Sequence, residues 1–379
     1  MSAAPGEGRP ARVLWVIKGL GPGGAERLVA DIVPRLDRDR YDTEVAYLLP
    51  WKDHLVPTLR DAGVEVHCLE VRGHRDVRWP GRLRRLVDGR YDLVHAHLPF
   101  AAVGARWTAR RIPLPRRPAV VYTEHNVWDR YRGPTAWANA RTFGWNDRVI
   151  AVSEAVRASM GRRGRSPEVT VVDNGVDAEA LRAGALGRAE ARAELGLPAD
   201  AFVIGTVGGV TPKKGHVHLV RAARAVVDRH PGTVVAVIGL GAVEAPVRQE
   251  IARLGLGEAV RLLGVREDAS RLMPAFDVFV LPSLHEGLPI ALLEALAVGI
   301  PAVASSVGGV PHVLSAGGGV LVAPGDEPAL AAALVALIED PQRRAALAAE
   351  APAAAGRFGL DRTVRELQAI YDDVLATRR

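Results

Sequence analysis

The stretch LPSLHEGLPIALLEALAVGIP (281–301) carries the densest chemistry in the sequence. A strand is predicted to end at Leu281, a turn carries Glu286, Gly287 and Leu288, and Pro289 suits the first turn of a helix running to about Val298. Glu286 then sits in a loop and Glu294 on a helix flank. Two carboxylates beside a helix N-terminus can divide the work: one accepts hydrogen bonds from ribose hydroxyls while exposed amides hold phosphate. Ordinary solvated acids are the alternative. Glu294 fits that alternative poorly, because LPIALL and ALAVG flank it and burial there demands a hydroxyl or cationic partner.

Three further loops follow predicted strands. VGGVTPKKGH (207–216) brings Lys213 and Lys214 beside Gly208 and Gly209, where a cation can neutralise a leaving diphosphate; a solvated lysine pair is the plain reading. KGLGPGGAER (18–27) is a glycine-rich turn opening a helix, so the amides of Gly23 and Gly24 can approach an anion, although such a turn is as often purely structural. Its spacing is not the dinucleotide fingerprint, and only Asp53 is available as an acid past the second strand. In YTEHN, His125 stands at a strand end where an imidazole or its neighbouring backbone could contact a sugar; a packed or merely exposed histidine is the plain reading. The pairs His95/His97 and His216/His218 each point to one side of an extended chain. No carboxylate or cysteine cluster accompanies them, so no metal is expected.

These loops need a scaffold. The chain has 379 residues, 48% hydrophobic and 24% charged, which is too much material for one core and predicts two domains. Short β-branched runs alternate with longer Ala/Leu/Arg stretches of helical period, the pattern of parallel strands joined by helices. Seven strands are expected before Asp177: 12–17, 43–49, 64–71, 92–97, 119–125, 148–153 and 168–176. Six more are expected at 202–209, 233–239, 259–264, 277–283, 301–306 and 319–325. The expected organisation is an α/β chain with a Rossmann-like acceptor-side domain (1–180), a helical linker (181–200) and a Rossmann-like donor domain (201–360). The two would face each other across a cleft. A terminal helix (361–379) with an apolar stripe at Val364, Leu367, Ile370, Tyr371 and Leu375 needs a cover, either on the second domain or by crossing back onto the first.

Composition trims the options. The only cysteine, Cys68, excludes an internal disulfide framework and is expected to be a buried strand residue. The early apolar run Val13 to Ile17 is too short for a secretory core, so a cytoplasmic protein is expected. The net charge of +6 is mild, but RLRR (82–85), RRIPLPRR (110–117) and GRRGR (161–165) all fall in the first half. Such a basic face suits a phosphorylated acceptor or peripheral contact with the inner face of an anionic membrane, and ordinary solvated helix ends and loops are the plain alternative. Aromatics make up 5% and are not interleaved with these runs, so no nucleic-acid partner is expected.

Taken in order, GGAER (23–27), HAHLP (95–99), TEHN (123–126), VSEAVR (152–157), NGVD (174–177), VGGVTPKKGH (207–216), LPSLHEGLPIALLEALAVGIPAVAS (281–305) and VGGVPHVL (307–314) resemble the family 4 glycosyltransferases, retaining nucleotide-sugar enzymes of GT-B fold. The resemblance spans nearly the whole chain. It implies that Gly23 and Gly24 border the reaction centre, His125 faces the donor sugar, Lys214 binds the diphosphate, Glu286 lies near sugar and phosphates, and Glu294 binds the ribose. It also implies that no metal cofactor is needed, that the departing phosphate deprotonates a sugar, lipid-linked or natural-product acceptor, and that the last helix crosses back to the first domain. Two positions depart from the family pattern: Gly209 replaces an arginine of the VGRL-type turn, and His312 replaces the acid of GGxPE. The rival expectations are a nicotinamide-dependent oxidoreductase and a noncatalytic nucleotide-sugar-binding relative.

Overall fold

The computed structural model describes residues 9–378 except 74, 75, 77, 129, 130, 132 and 162–166. Most of the GRRGR cluster therefore lies outside the described residues. The chain forms two compact units, Met1–Asn174 with Leu360–Arg379, and Gly175–Gly359.

Unit 1 is built on seven parallel strands: β1 (Ala11–Ile17), β2 (Tyr41–Tyr47), β3 (Val66–Cys68), β4 (Leu93–His97), β5 (Ala119–Glu124), β6 (Arg148–Ala151) and β7 (Val169–Val171), in the order β3-β2-β1-β4-β5-β6-β7. Helices cover both faces, so central strands read as unbroken apolar runs: every residue from Val13 to Ile17 and from Ala119 to Glu124 is buried. Cys68 lies on the edge strand β3 and is only half-buried, because the edge has one neighbour fewer.

The helix Leu360–Ala376 belongs to unit 1. Val364, Leu367, Ile370, Tyr371 and Val374 are its buried stripe; Leu375 is half-buried, and the neighbouring Val374 faces inward instead. Polar contacts set its register: the Tyr41 hydroxyl donates to Asp372 at 2.6 Å, Arg378 forks onto Asp147 at 2.7 and 2.8 Å, and Arg148 pairs with Asp373.

Unit 2 carries six parallel strands: β8 (Val203–Val207), β9 (Val234–Ile238), β10 (Val260–Leu262), β11 (Val278–Leu281), β12 (Ala302–Ser305) and β13 (Gly319–Val322), in the order β10-β9-β8-β11-β12-β13. Its core packs Ile204, Val235, Val237, Val278 and Val280 against Leu219, Ala223 and Val226 of the helix His216–Arg229 and Leu330, Leu334 and Leu337 of the helix Glu327–Glu339.

The segment expected to link the domains folds instead as part of unit 2, in the helices Ala178–Gly184 and Arg188–Glu194. Arg192 ties this segment to unit 2. Its guanidinium is buried, donating to Asp277 at 2.8 Å and to the Ala275 carbonyl at 3.0 Å. No helix among the described residues is long and apolar enough to cross a membrane.

Candidate active site

In a doubly wound sheet the ligand crevice lies at the carboxyl ends of the strands where their order reverses. In unit 2 that point falls between β8 and β11, and the loops leaving these strands carry the residues singled out above. The Lys214 ammonium donates to Glu286 Oε1 at 2.7 Å, and the Ser283 hydroxyl donates to the same oxygen at 2.6 Å. The carboxylate is buried and the lysine half-buried. The backbones are tied as well: the Leu284 amide donates to the Lys213 carbonyl at 2.7 Å.

Glycine is required where these loops meet. Gly215 has φ +66°, and a Cβ there would lie 2.0 Å from the Pro282 carbonyl oxygen. Gly308, in the loop after β12, has φ +54° and would place a Cβ 2.1 Å from the Glu286 carbonyl oxygen, while the Gly309 amide donates to the Gly287 carbonyl at 2.6 Å. The loops after β8 and β12 thus clamp the Glu286–Gly287 loop from two sides. Leu288 is buried behind them, and Glu294 is half-buried on the helix Ile290–Ala297, one turn in from its start.

His216 opens the helix His216–Arg229 with its imidazole buried; burial first, then the Lys214 charge, lowers its pKa to about 4. It is therefore neutral at pH 7. Gly209 has no such constraint, since a Cβ there would meet the Leu240 carbonyl oxygen at 3.6 Å and Thr211 at 3.8 Å, ordinary contacts. Packing does not forbid a side chain at that position. His312 is exposed, its ring edge-on to Phe358 at 5.3 Å.

Unit 1 reverses its strand order between β1 and β4. Gly23 caps the helix Gly24–Ile32, but its amide donates to the Gly21 carbonyl at 2.9 Å, and a Cβ on it would fall 2.2 Å from Glu26 Oε2. This differs from the expected pair of outward amides: the turn uses one of them internally, and the Glu26 carboxylate lies over it. Lys18 follows β1, with its ammonium 5.7 Å from the Phe100 ring centre. Burial and then the nearby Lys52 charge lower its pKa. Lys52 folds across Gly19, where a Cβ would lie 2.7 Å from the lysine Cβ, and its carbonyl accepts from the Leu20 amide at 2.7 Å.

His125 follows β5, half-buried, with Nε2 3.0 Å from His97 Nδ1. Its loop is anchored by Glu124, whose carboxylate is fully buried and accepts from the His125 and Asn126 amides, the Tyr122 and Tyr131 hydroxyls and the Trp128 indole. Burial raises the Glu124 pKa against the pull of these donors. Leu98, directly after His97, holds φ +67°, a left-handed conformation that bulky residues rarely adopt and that clusters at working sites. The His95/His97 pair is not arranged as a ligand pair. His95 lies within 2.5 Å of the Tyr371 hydroxyl and 2.7 Å of the Thr123 hydroxyl, and His97 turns to His125. His218 likewise contacts Glu327, at 2.8 Å.

Sequence reasoning did not single out Ser283, Lys18, Lys52 or Glu124. Glu124 left a legible sign, a lone acid inside the apolar run AVVYTEH.

Two parallel Rossmann-like sheets, each with polar loops at its reversal point, make a fold of the GT-B class. The comparisons agree. Residues 187–354 match the model for glycosyl transferases group 1, and residues 22–180 match glycosyltransferase family 4. The chain is 31% identical over 301 residues to a D-inositol 3-phosphate glycosyltransferase of Corynebacterium urealyticum, covering 74% of this chain and 71% of that one. It is 29% identical to the lipopolysaccharide core biosynthesis mannosyltransferase LpsB of Rhizobium meliloti, covering 85% and 92%. The crystal structure of Anabaena HepE with UDP and glucose superposes with a TM-score of 0.81 at 24% identity, over 96% of this chain and 100% of that one. The chain belongs to glycosyltransferase family 4. It is a glycosyltransferase of a retaining family, and the oxidoreductase and noncatalytic readings are not favoured.

Proposed function

We propose that unit 2 holds the nucleoside diphosphate sugar and unit 1 the acceptor, and that no metal cofactor takes part. The observation that carries this reading is the clamped Lys214, Glu286 and Ser283 cluster at the reversal point of unit 2. With the donor bound, Lys214 turns from Glu286 to the diphosphate. As the bond from the anomeric carbon to the β-phosphate oxygen breaks, negative charge grows on the diphosphate, and Lys214 with the amides at Gly287 and Leu288 stabilises it. Gly208, Gly209 and Lys213 line the same loop. The acceptor oxygen bonds to the anomeric carbon on the face the phosphate leaves, and its proton passes to the departing phosphate oxygen. Glu294 holds the ribose, His125 faces the sugar, and Gly23 and Gly24 border the reacting centre.

The acceptor is a sugar, lipid-linked or natural-product hydroxyl compound, and Lys18 with Lys52 favours one that bears phosphate. A relative named for D-inositol 3-phosphate supports that choice. The setting is cytoplasmic, with peripheral contact at the inner membrane face. The exposed Trp107 and Leu114 beside the RRIPLPRR run support this contact, with the Arg111 guanidinium 3.8 Å from the Trp107 ring centre. A thermal-shift panel of UDP, GDP, ADP and dTDP sugars tests the donor assignment: one nucleotide series is expected to raise Tm in the wild type and to lose that effect in Glu294→Ala. A panel in which no nucleotide sugar moves Tm would defeat the reading.

A further inference from the structure

Two donors converge on one oxygen of Glu286. The Lys214 ammonium lies 2.7 Å from Oε1 and the Ser283 hydroxyl 2.6 Å from the same atom, while Oε2 takes no hydrogen bond among the described residues. Ser283 is 0% exposed and Glu286 7% exposed, so water does not stand in for either donor. The two differ in how far they can move. Lys214 is half-buried at the end of a flexible stem, free to swing its charge to another anion. Ser283 precedes Glu286 by three residues in the same loop, and its hydroxyl donates to no other group among the described residues.

That difference matters once a diphosphate arrives. A buried carboxylate stripped of its last donor is costly, because it has given up hydration and received nothing in exchange. A hydroxyl that stays behind lowers the cost of letting the lysine go. We infer that Ser283 is a positioning residue that keeps Glu286 in place while Lys214 leaves it, and so sets how readily Lys214 reaches the donor. With the serine present, Oε1 remains hydrogen-bonded after the lysine has turned. Without it, Glu286 grips Lys214 harder and the diphosphate has to break that grip. The inference rests on the reading that Lys214 serves the donor diphosphate.

The probe is whichever of UDP, GDP, ADP and dTDP binds the wild type most tightly, titrated calorimetrically into the full chain. Ser283→Ala should weaken binding about tenfold, near the worth of one hydrogen bond to a charged group, and should raise donor KM more than it lowers kcat. Ser283→Cys keeps the shape with a weaker donor and should fall between the wild type and Ser283→Ala. In Glu286→Gln no carboxylate holds Lys214, so adding Ser283→Ala there should change affinity by less than about twofold. A serine that only packs the loop would weaken binding equally in both backgrounds. That result, or wild-type affinity in Ser283→Ala, would overturn the proposal. If Ser283→Ala does not fold, Ser283→Cys decides, and wild-type affinity in it would overturn the proposal too. Affinity unchanged by Lys214→Ala would sink the reading of the site instead, so the two failures are distinguishable.

Discussion

Two glycines in one loop should respond to alanine in opposite ways. Gly215 has φ +66°, where an L-residue costs about 1–2 kcal/mol. Its new Cβ would also lie 2.0 Å from the Pro282 carbonyl oxygen, so one backbone must retreat by about 1 Å or more to reach ordinary contact. Pro282 leads into Ser283 and Glu286, and Gly215 follows Lys214, so the retreat opens the 2.7 Å Lys214 to Glu286 bond. Strain and the lost contact together put the stability loss of Gly215→Ala at about 2–4 kcal/mol. A misplacement of this size in a positioned group lowers kcat/KM by about 10²-fold. Gly209→Ala meets nothing closer than 3.6 Å and should stay within about 0.5 kcal/mol of the wild type. Urea unfolding of both variants, with donor turnover alongside, measures the contrast. Equal losses at the two positions, or a Gly215→Ala protein as stable as the wild type, would refute the claim that the loops interlock through Gly215.

Acid should weaken the fold steeply. Burial lowers the pKa of His95 and His97 well below 6.5 and that of His216 to about 4, so below pH 6.5 the unfolded chain takes up protons that the native state refuses. Stability therefore falls as pH drops through that window, by up to about 4 kcal/mol per pH unit for three such groups. Glu124, raised by burial, offsets part of the loss just above pH 4.5, and a flat stability profile between pH 7 and 5 would contradict the assignment. Tyr371→Phe leaves the His95 Nδ1 unpartnered without opening a cavity and should cost about 1–3 kcal/mol in urea unfolding; under 0.5 kcal/mol would mean the 2.5 Å contact is not a working hydrogen bond.

The fold was largely legible because buried parallel strands advertise themselves. All thirteen expected runs, bounded by glycine, proline and acidic turns, contain the observed strands β1 to β13 almost wholly, shorter at the sheet edges β3, β7 and β10 where pairing is one-sided. The segment 181–200, expected as a linker, clusters with unit 2 through contacts the sequence does not display: Arg192 gives no sign of its partner Asp277, 85 residues on. The site was legible in its charged residues and hidden in its contacts. Lys214 and Glu286 stand 72 residues apart, and only the crossover that sets β11 beside β8 joins them. The histidines show the same limit. Alternation along β4 puts His95 and His97 on one side, but not that Tyr371 on the last helix meets one while His125 meets the other.

The central claim is that Lys214 in the clamped loop of unit 2 receives the diphosphate of the donor. Isothermal titration of UDP, or whichever nucleoside diphosphate the donor panel selects, into the wild type and Lys214→Ala tests it directly. Loss of a charge-assisted contact to phosphate of about 1.5–3 kcal/mol predicts binding roughly 10- to 150-fold weaker, with the variant still folded. Equal affinity in the two proteins would contradict the account.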